Sequence, residues 1–164
     1  MVKLFSLRYL PKRLTRKDRK KQASMIRKSR RLYKRGSFYT RKKVPSFTSK
    51  KSPHIIKAIK IYKVDKIGAT NELAKACGCS KTALAKIVSK GQGAYYSSGS
   101  RPNQTAQSWG NARLASAITS GKAAAVDYSI LEKGCNSRSK ALSLAKRARR
   151  RYGRGTRRVP KVKP

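Results

Sequence analysis

Few side chains in this sequence have the types and spacings that perform covalent chemistry. His54 is the lone histidine, and beside Pro53 at a helix start it reads as a surface residue rather than a general base. The acids Asp18, Asp65, Glu72, Asp127 and Glu132 are scattered and form no pair for acid–base work. Cys77-x-Cys79 with Cys135 lacks a fourth zinc ligand, so buried, reduced thiols are expected rather than a metal. TSGKA, residues 119–123, is a phosphate loop only superficially. Ser116 stands where the first glycine is required, and Ala123 where a hydroxyl would hold magnesium. These residues predict no enzyme, no cofactor and no metal.

The remaining functional chemistry is cationic. Lys and Arg number 44 against 5 acids, a net charge of +39, and such self-repulsion implies a polyanionic or acidic partner. Nucleic acid leads the candidates, followed by acidic protein surfaces and anionic lipid. The expected contact residues are Arg16, Lys20, Arg27 and Arg31 toward the N-terminus, Lys81 and Lys86 in the middle, and Arg147, Arg150, Arg154 and Arg157 toward the C-terminus. Tyr9, Tyr33, Tyr39 and Tyr152 lie among them and permit stacking. The competing reading places these basic segments in acidic grooves of protein neighbours.

The elements that carry these cations divide by charge. Residues 1–66 have a net charge of +22, residues 67–137 of +5 and residues 138–164 of +12. Only the middle looks able to bury a core, and one that small is marginal alone. The expected division is a basic N-terminal helix and linker over 1–51, a helical core domain over 52–135, and a basic C-terminal helix and arm over 136–164. Thr15 caps a helix over residues 16–34, Ser52-Pro53 opens another, and Thr70 caps residues 71–77. A Gly/Ser loop is expected over 91–103, then a helix from Thr105, a short helix capped by Asp127, and a last helix from Ser139. No strand is expected. The run ARLASAITSGKAAAV is too hydrophilic to span a membrane, and the N-terminus lacks a secretory pattern.

ELAKACGCSKTALAKIVSKG, residues 72–91, has helix-turn-helix spacing. Ala74 is the small residue at the helix contact, Gly78 supplies the left-handed turn, and Leu84 and Ile87 return to the core. Ser80, Lys81, Thr82, Ala85 and Lys86 then face outward. That set suits phosphates but lacks the Arg, Asn or Gln that reads base edges. A compact hairpin that does not read sequence is expected.

GQGAYYSSGSRPNQTAQSWGNARLASAITSGKAAAVDYSIL, residues 91–131, resembles an uncharacterised domain family of large nucleocytoplasmic DNA viruses, including those of algae. The likeness rests on Gly91, Gly93, Ala94, Tyr95, Arg101, Pro102, Gln107, Trp109, Ala112, Arg113, Gly121, Lys122 and Asp127, and it extends over about residues 8–135. It implies a viral origin and a place in the particle, and it assigns no activity. On physical grounds Trp109 is expected to anchor the core, and Arg101 and Arg113 either to order the glycine loop through hydrogen bonds to its carbonyls, the preferred reading, or to bind a ligand.

The expected fold is therefore all-α, a small helical domain containing a helix-turn-helix-like hairpin, flanked by basic helices and extended arms. An extended arm of about thirty residues reaches about 100 Å. The expected function is a minor capsid or scaffold protein beneath the virion shell, assembled in the host cytoplasm, whose arms meet major and other minor capsid proteins. Viral DNA and anionic inner-membrane lipid are the further partners. The alternative is a protein that condenses viral DNA without sequence preference.

Overall fold

The computed structural model describes residues 3–155 and 159–164. Helices dominate: α1 (Arg16–Lys34), α2 (Pro53–Tyr62), α3 (Asn71–Cys77), α4 (Lys81–Ser97), α5 (Ala106–Ala117), α6 (Lys122–Val126), α7 (Tyr128–Gly134) and α8 (Lys140–Tyr152). Two short strands, β1 (Phe5–Ser6) and β2 (Lys161–Val162), pair antiparallel with Phe5 opposite Val162. The caps expected at Thr15 and Thr70 form, as does one at Ser139, whereas Ser52 makes no side-chain cap bond to α2. Thr15, Thr70 and Ser139 accept hydrogen bonds from the amides of Asp18, Leu73 and Leu142, each at 3.2 Å.

The chain forms two compact units. Unit 1 comprises residues 1–50, 92–109 and 158–164, and unit 2 comprises 51–91 and 110–157. The sequence places a core only over 52–135, yet unit 1 has a core of its own, in which Phe5, Leu10, Leu14, Ala23, Met25, Ile26, Val44 and Phe47 are buried. The apolar stripe of α1 is thin, and it is covered by short hydrophobic segments on either side that are too irregular to show periodicity. Asp18 ties them together. Its carboxylate accepts from the Ser46 amide at 2.9 Å, and hydrogen bonds from Ser46 hold its pKa below the ordinary carboxylate value. Asn103 works similarly, accepting from Val44 N at 2.7 Å and donating to Phe47 O at 2.6 Å.

Arg41 is buried in unit 1 with no carboxylate beside it. Its guanidinium lies 3.8 Å from the centre of the Tyr95 ring and donates to Ser29 Oγ at 3.1 Å, Tyr95 O at 2.8 Å and Ser100 Oγ at 2.8 Å. Its backbone amide donates to the Tyr95 hydroxyl at 3.0 Å. Neutral acceptors and a π face replace its hydration. Tyr95, fully buried, is thus the aromatic anchor of unit 1. Trp109, expected in that role, is only half-buried and joins neither core.

In unit 2 the expected helix-turn-helix segment folds as α3, a left-handed Gly78 (φ 74°) and α4, with Leu84 and Ile87 buried and Ala74 and Gly78 half-buried. Ser80 caps α4, accepting from the Ala83 amide at 3.1 Å. Helix α8 is not a detached basic arm, because Ala141, Ala145 and Ala148 sit in the same core as Leu73, Leu114 and Leu131. Residues 78–80 are bound to the turn before α8 by Ser80 N to Gly134 O at 2.7 Å and Asn136 N to Gly78 O at 2.8 Å. Across that clamp Cys79 and Cys135 form a disulfide, which corrects the expectation of three thiols; Cys77 alone is free and buried. Residues 79 and 135 lie far apart in sequence, and only the tertiary fold makes them neighbours.

The glycine-rich stretch differs most from expectation. Helix α4 runs through Gly91 and Gly93 to Ser97, so the loop begins only at Ser98. Gly91 is there for close packing: a Cβ added to it would lie 2.6 Å from Gly110 Cα and 3.2 Å from Arg113 Cβ. That approach lets α4 and α5 share an acid. Asp127, fully buried, does not cap α7. Instead it receives Arg113 Nε and Nη2, both at 2.8 Å, and Lys90 Nζ at 2.9 Å. Burial alone would raise its pKa, but the hydrogen bonds and charges of Arg113 and Lys90 outweigh that and hold it below the ordinary value.

Two outcomes test this packing. Gly91→Ala is expected to destabilise the protein by about 1–3 kcal/mol, since backbone on the facing helix must move; a denaturant midpoint unchanged from the wild type would refute it. Asp127 has a folded pKa below its unfolded value of about 3.9, so its contribution is complete above that pH and is lost as pH falls through the folded pKa. Asp127→Asn is expected to cost about 3–5 kcal/mol at neutral pH, by leaving two cations without their partner. The deficit should shrink as pH falls toward 3, measured by chemical denaturation at each pH.

Candidate polyanion-binding faces

Helix α1 carries the densest set of predicted contacts. Arg16, Lys20, Arg27 and Arg31 recur at intervals that place them on one side of an α-helix, and all four are exposed. They span about 22 Å along the axis. The other exposed positions of α1 are Lys17, Lys21, Ser24, Lys28, Tyr33 and Lys34, so the solvent arc is cationic almost throughout. Residues at its borders are used for folding. Arg19 donates to Leu10 O at 3.3 Å and Pro11 O at 3.2 Å, and Arg30 donates to Ser98 O at 2.8 Å. Burial pushes the Arg30 guanidinium below its usual pKa. Arg27 places its guanidinium 5.2 Å from the centre of the Phe5 ring and Lys28 its ammonium 4.5 Å from that of Tyr39, cation–π contacts that orient the charged heads of two residues that remain exposed.

Unit 2 has its own cationic surfaces. Arg147 and Arg150 are exposed on α8, opposite its buried alanines, and Lys140, Lys146, Arg149 and Arg151 are exposed with them. Arg154 is exposed just beyond the helix, and Arg157 lies outside the described residues. Lys81 and Lys86 are exposed on α4, together with Ser80, Thr82 and Ala85. Lys86 also lines a shallow groove of about 310 Å³ with Thr82, Ser129, Ile130 and Lys133. None of these side chains is an Arg, Asn or Gln, so the face offers cations and hydroxyls to a phosphate but no fork to a base edge.

The sequence did not single out the cluster Arg8, Lys12 and Arg13 of unit 1, which lines a groove together with Arg101. Its signal was only density within a basic run. Arg113 does not order a glycine loop but holds Asp127, as described above. The residues considered for catalysis are dispersed or occupied. His54 is exposed at the start of α2, Asp18 and Asp127 are buried in structural contacts, and Asp65, Glu72 and Glu132 are exposed. Among the described residues no group of three or more His, Cys, Asp or Glu is placed to hold a metal ion, and no helix is long and apolar enough to cross a membrane.

Ion pairing is sparse. Among the described residues, the ion pairs of Lys90 and Arg113 both go to Asp127. The exposed cations of α1, α4 and α8 are therefore not neutralised by ion pairs among the described residues. Replacing Lys81 and Lys86 by Ala is expected to weaken binding to duplex DNA modestly and equally across unrelated sequences, lowering the salt slope by about 2. A loss confined to one sequence in competition binding would contradict this reading of α4.

No curated protein and no solved structure matches the chain. One family model matches, over residues 7–155, nearly the whole described chain and all of its folded elements except the terminal strand pair. The chain belongs to that family, a family of unknown function (DUF5824).

Proposed function

We propose that this chain is a non-enzymatic structural protein of a large DNA virus particle, a minor capsid or scaffold component that lays cationic faces on the acidic surfaces of neighbouring capsid subunits. The viral setting rests on the resemblance carried by residues 91–131. The mode of action rests on one observation: the exposed arc of α1 is Lys and Arg almost throughout, and among the described residues no ion pair neutralises it. Arms that fold do not reach across several subunits. The contact this fold offers is instead the docking of a rigid helix face, with the ordering entropy already spent during folding.

A second reading, condensation of viral DNA without sequence preference, is favoured by the aromatic group at the end of α1. Phe38 is 71% exposed, and its ring centre lies 5.1 Å from that of Tyr96 and 6.1 Å from that of Tyr33. Exposed rings beside cations suit unstacked bases as well as phosphates. Both readings use the same face, so location decides between them.

The capsid reading is tested by mapping the intact particle: ordered density for this chain in the shell is expected. Density confined to the genome compartment would favour the DNA reading, and absence of the chain from purified particles would refute both. With the isolated protein, Arg16→Gln/Lys20→Gln/Arg27→Gln/Arg31→Gln is expected to lower the salt slope for random duplex DNA by about 3–4 if those four cations meet phosphates. An unchanged slope would remove α1 from the interface.

A further inference from the structure

Unit 1 contains a concave site of a different kind from the helix faces. A groove of about 390 Å³ is lined by Leu7, Arg8, Pro11, Lys12, Arg13, Arg101, Val159 and Pro160. Its four cations come from two places in the chain, residues 8–13 and Arg101, and its apolar floor also from two, residues 7–11 and 159–160. The single acid of unit 1, Asp18, is not among the lining residues. Like charges held together in one concavity repel, and an anion seated among them relieves that repulsion.

The backbone that carries these cations is fixed on every side. Residues 7–13 are held by Leu7 N to Pro160 O at 2.8 Å, by the fully buried Leu10, and by the bonds of Arg19 to Leu10 O and Pro11 O. Gly99, at φ 140°, has the Tyr9 ring where a Cβ would stand, at 2.9 Å. The next residue, Ser100, donates to Arg101 O at 2.8 Å and accepts from the buried Arg41. Pro102 is buried and Asn103 is pinned to Val44 and Phe47. Arg101, exposed, follows directly on this fixed loop and lines the groove. Among the described residues, Arg8, Lys12 and Arg101 have no ion pair and no side-chain hydrogen bond, whereas Arg13 rests 5.5 Å from the centre of the Phe47 ring. Burial first, and then the charges of Arg8 and Arg13, push the Arg101 guanidinium below its usual pKa.

We propose that this groove is a binding site for a compact oligophosphate, held by Arg8, Lys12, Arg13 and Arg101 over the apolar floor of Leu7, Pro11, Val159 and Pro160. The ligand chemistry is a short chain of phosphoanhydride-linked phosphates, either free or attached to a nucleoside. This site is independent of the faces proposed for capsid or DNA contact, because it uses none of their residues.

Titration calorimetry of the full chain with tripolyphosphate at about 0.15 M salt tests it. Saturable binding at one site per chain is expected. Arg8→Gln/Arg101→Gln should weaken it about tenfold or more, since each removes charge-assisted hydrogen bonds. The control Lys57→Gln/Lys60→Gln removes the same charge from the exposed side of α2, outside every face proposed for binding, and should change affinity less than about twofold. Equal losses in the two variants would show diffuse charge attraction and overturn the site, as would unsaturable binding to the wild type. Should Arg8→Gln/Arg101→Gln fail to fold, Lys12→Gln alone, at an exposed position, must still weaken binding selectively. ATP distinguishes the sources. Affinity equal to tripolyphosphate assigns the phosphate chain alone, and tighter binding abolished by Arg8→Gln/Arg101→Gln adds a nucleoside on the apolar floor. ATP binding that survives in that variant overturns the proposal.

Discussion

The constraint that shapes this protein is a shortage of counter-charge. Unit 1 contains 23 Lys and Arg and one acid, Asp18, whose carboxylate is committed to the backbone at Ser46. Among the described residues of unit 1 there is therefore no salt bridge, and the small individual worth of surface salt bridges shows why the fold survives without them. The cations nearest the core are satisfied by neutral groups instead: carbonyls for Arg19 and Arg30, aromatic faces for Arg27 and Lys28, and both for Arg41. Such contacts replace water at the guanidinium without cancelling its charge. Folding orders the cations and leaves their field intact.

Unit 2 meets the same shortage by concentrating it. Two cations share the one fully buried carboxylate, and that requires α4 and α5 to approach closely. The approach is set by glycine against glycine, Gly91 on Gly110, and the same device recurs where a Cβ on Gly134 would meet Ala83 Cβ at 2.3 Å. Ala58, Ala115, Ala117, Ala124, Ala141, Ala145 and Ala148 fill the buried positions between larger anchors. Small residues give little apolar area each, so the core gains from backbone proximity and dense packing. The clamp between residues 78–80 and 134–136, sealed by Cys79–Cys135, closes the end of this unit.

Local signals were legible in the sequence wherever a side chain acts on its own neighbours. The bounds of α1, α2, α3 and α8 follow from Thr15, Pro53, Thr70 and Ser139, because capping is a matter of three or four residues. The outward set Ser80, Lys81, Thr82, Ala85 and Lys86 was readable for the same reason. What could not be read depends on partners distant in the chain. A glycine that ends a helix and one that admits a second helix look identical, and so α4 appears to stop at Gly91. Asp127 before a helix looks like a cap until Arg113 and Lys90 are known to face it. Trp109 looks like an anchor by size, yet Tyr95 is buried because its hydroxyl and ring complete the coordination of Arg41. The core of unit 1 was hidden because charge density masks short apolar runs such as Phe5, Leu10 and Leu14.

The difference between a flexible basic tail and a folded basic unit changes what the charge can do. A tail reaches far and binds any polyanion, but it loses conformational entropy at every contact. Here that entropy is lost during folding, and the opposing repulsion is met by burial of the unit 1 core and by the network around Arg41, Ser100 and Tyr95. The cations then stand at fixed spacing, so on the readings proposed above shape would enter recognition: a flat acidic surface or a phosphate backbone would fit the straight arc of α1, and a compact anion the groove around Arg101. The same network serves both, because Arg41 is hydrogen-bonded to Ser29 on α1 and to Ser100 beside Arg101. One buried cation thereby fixes the positions of the exposed ones.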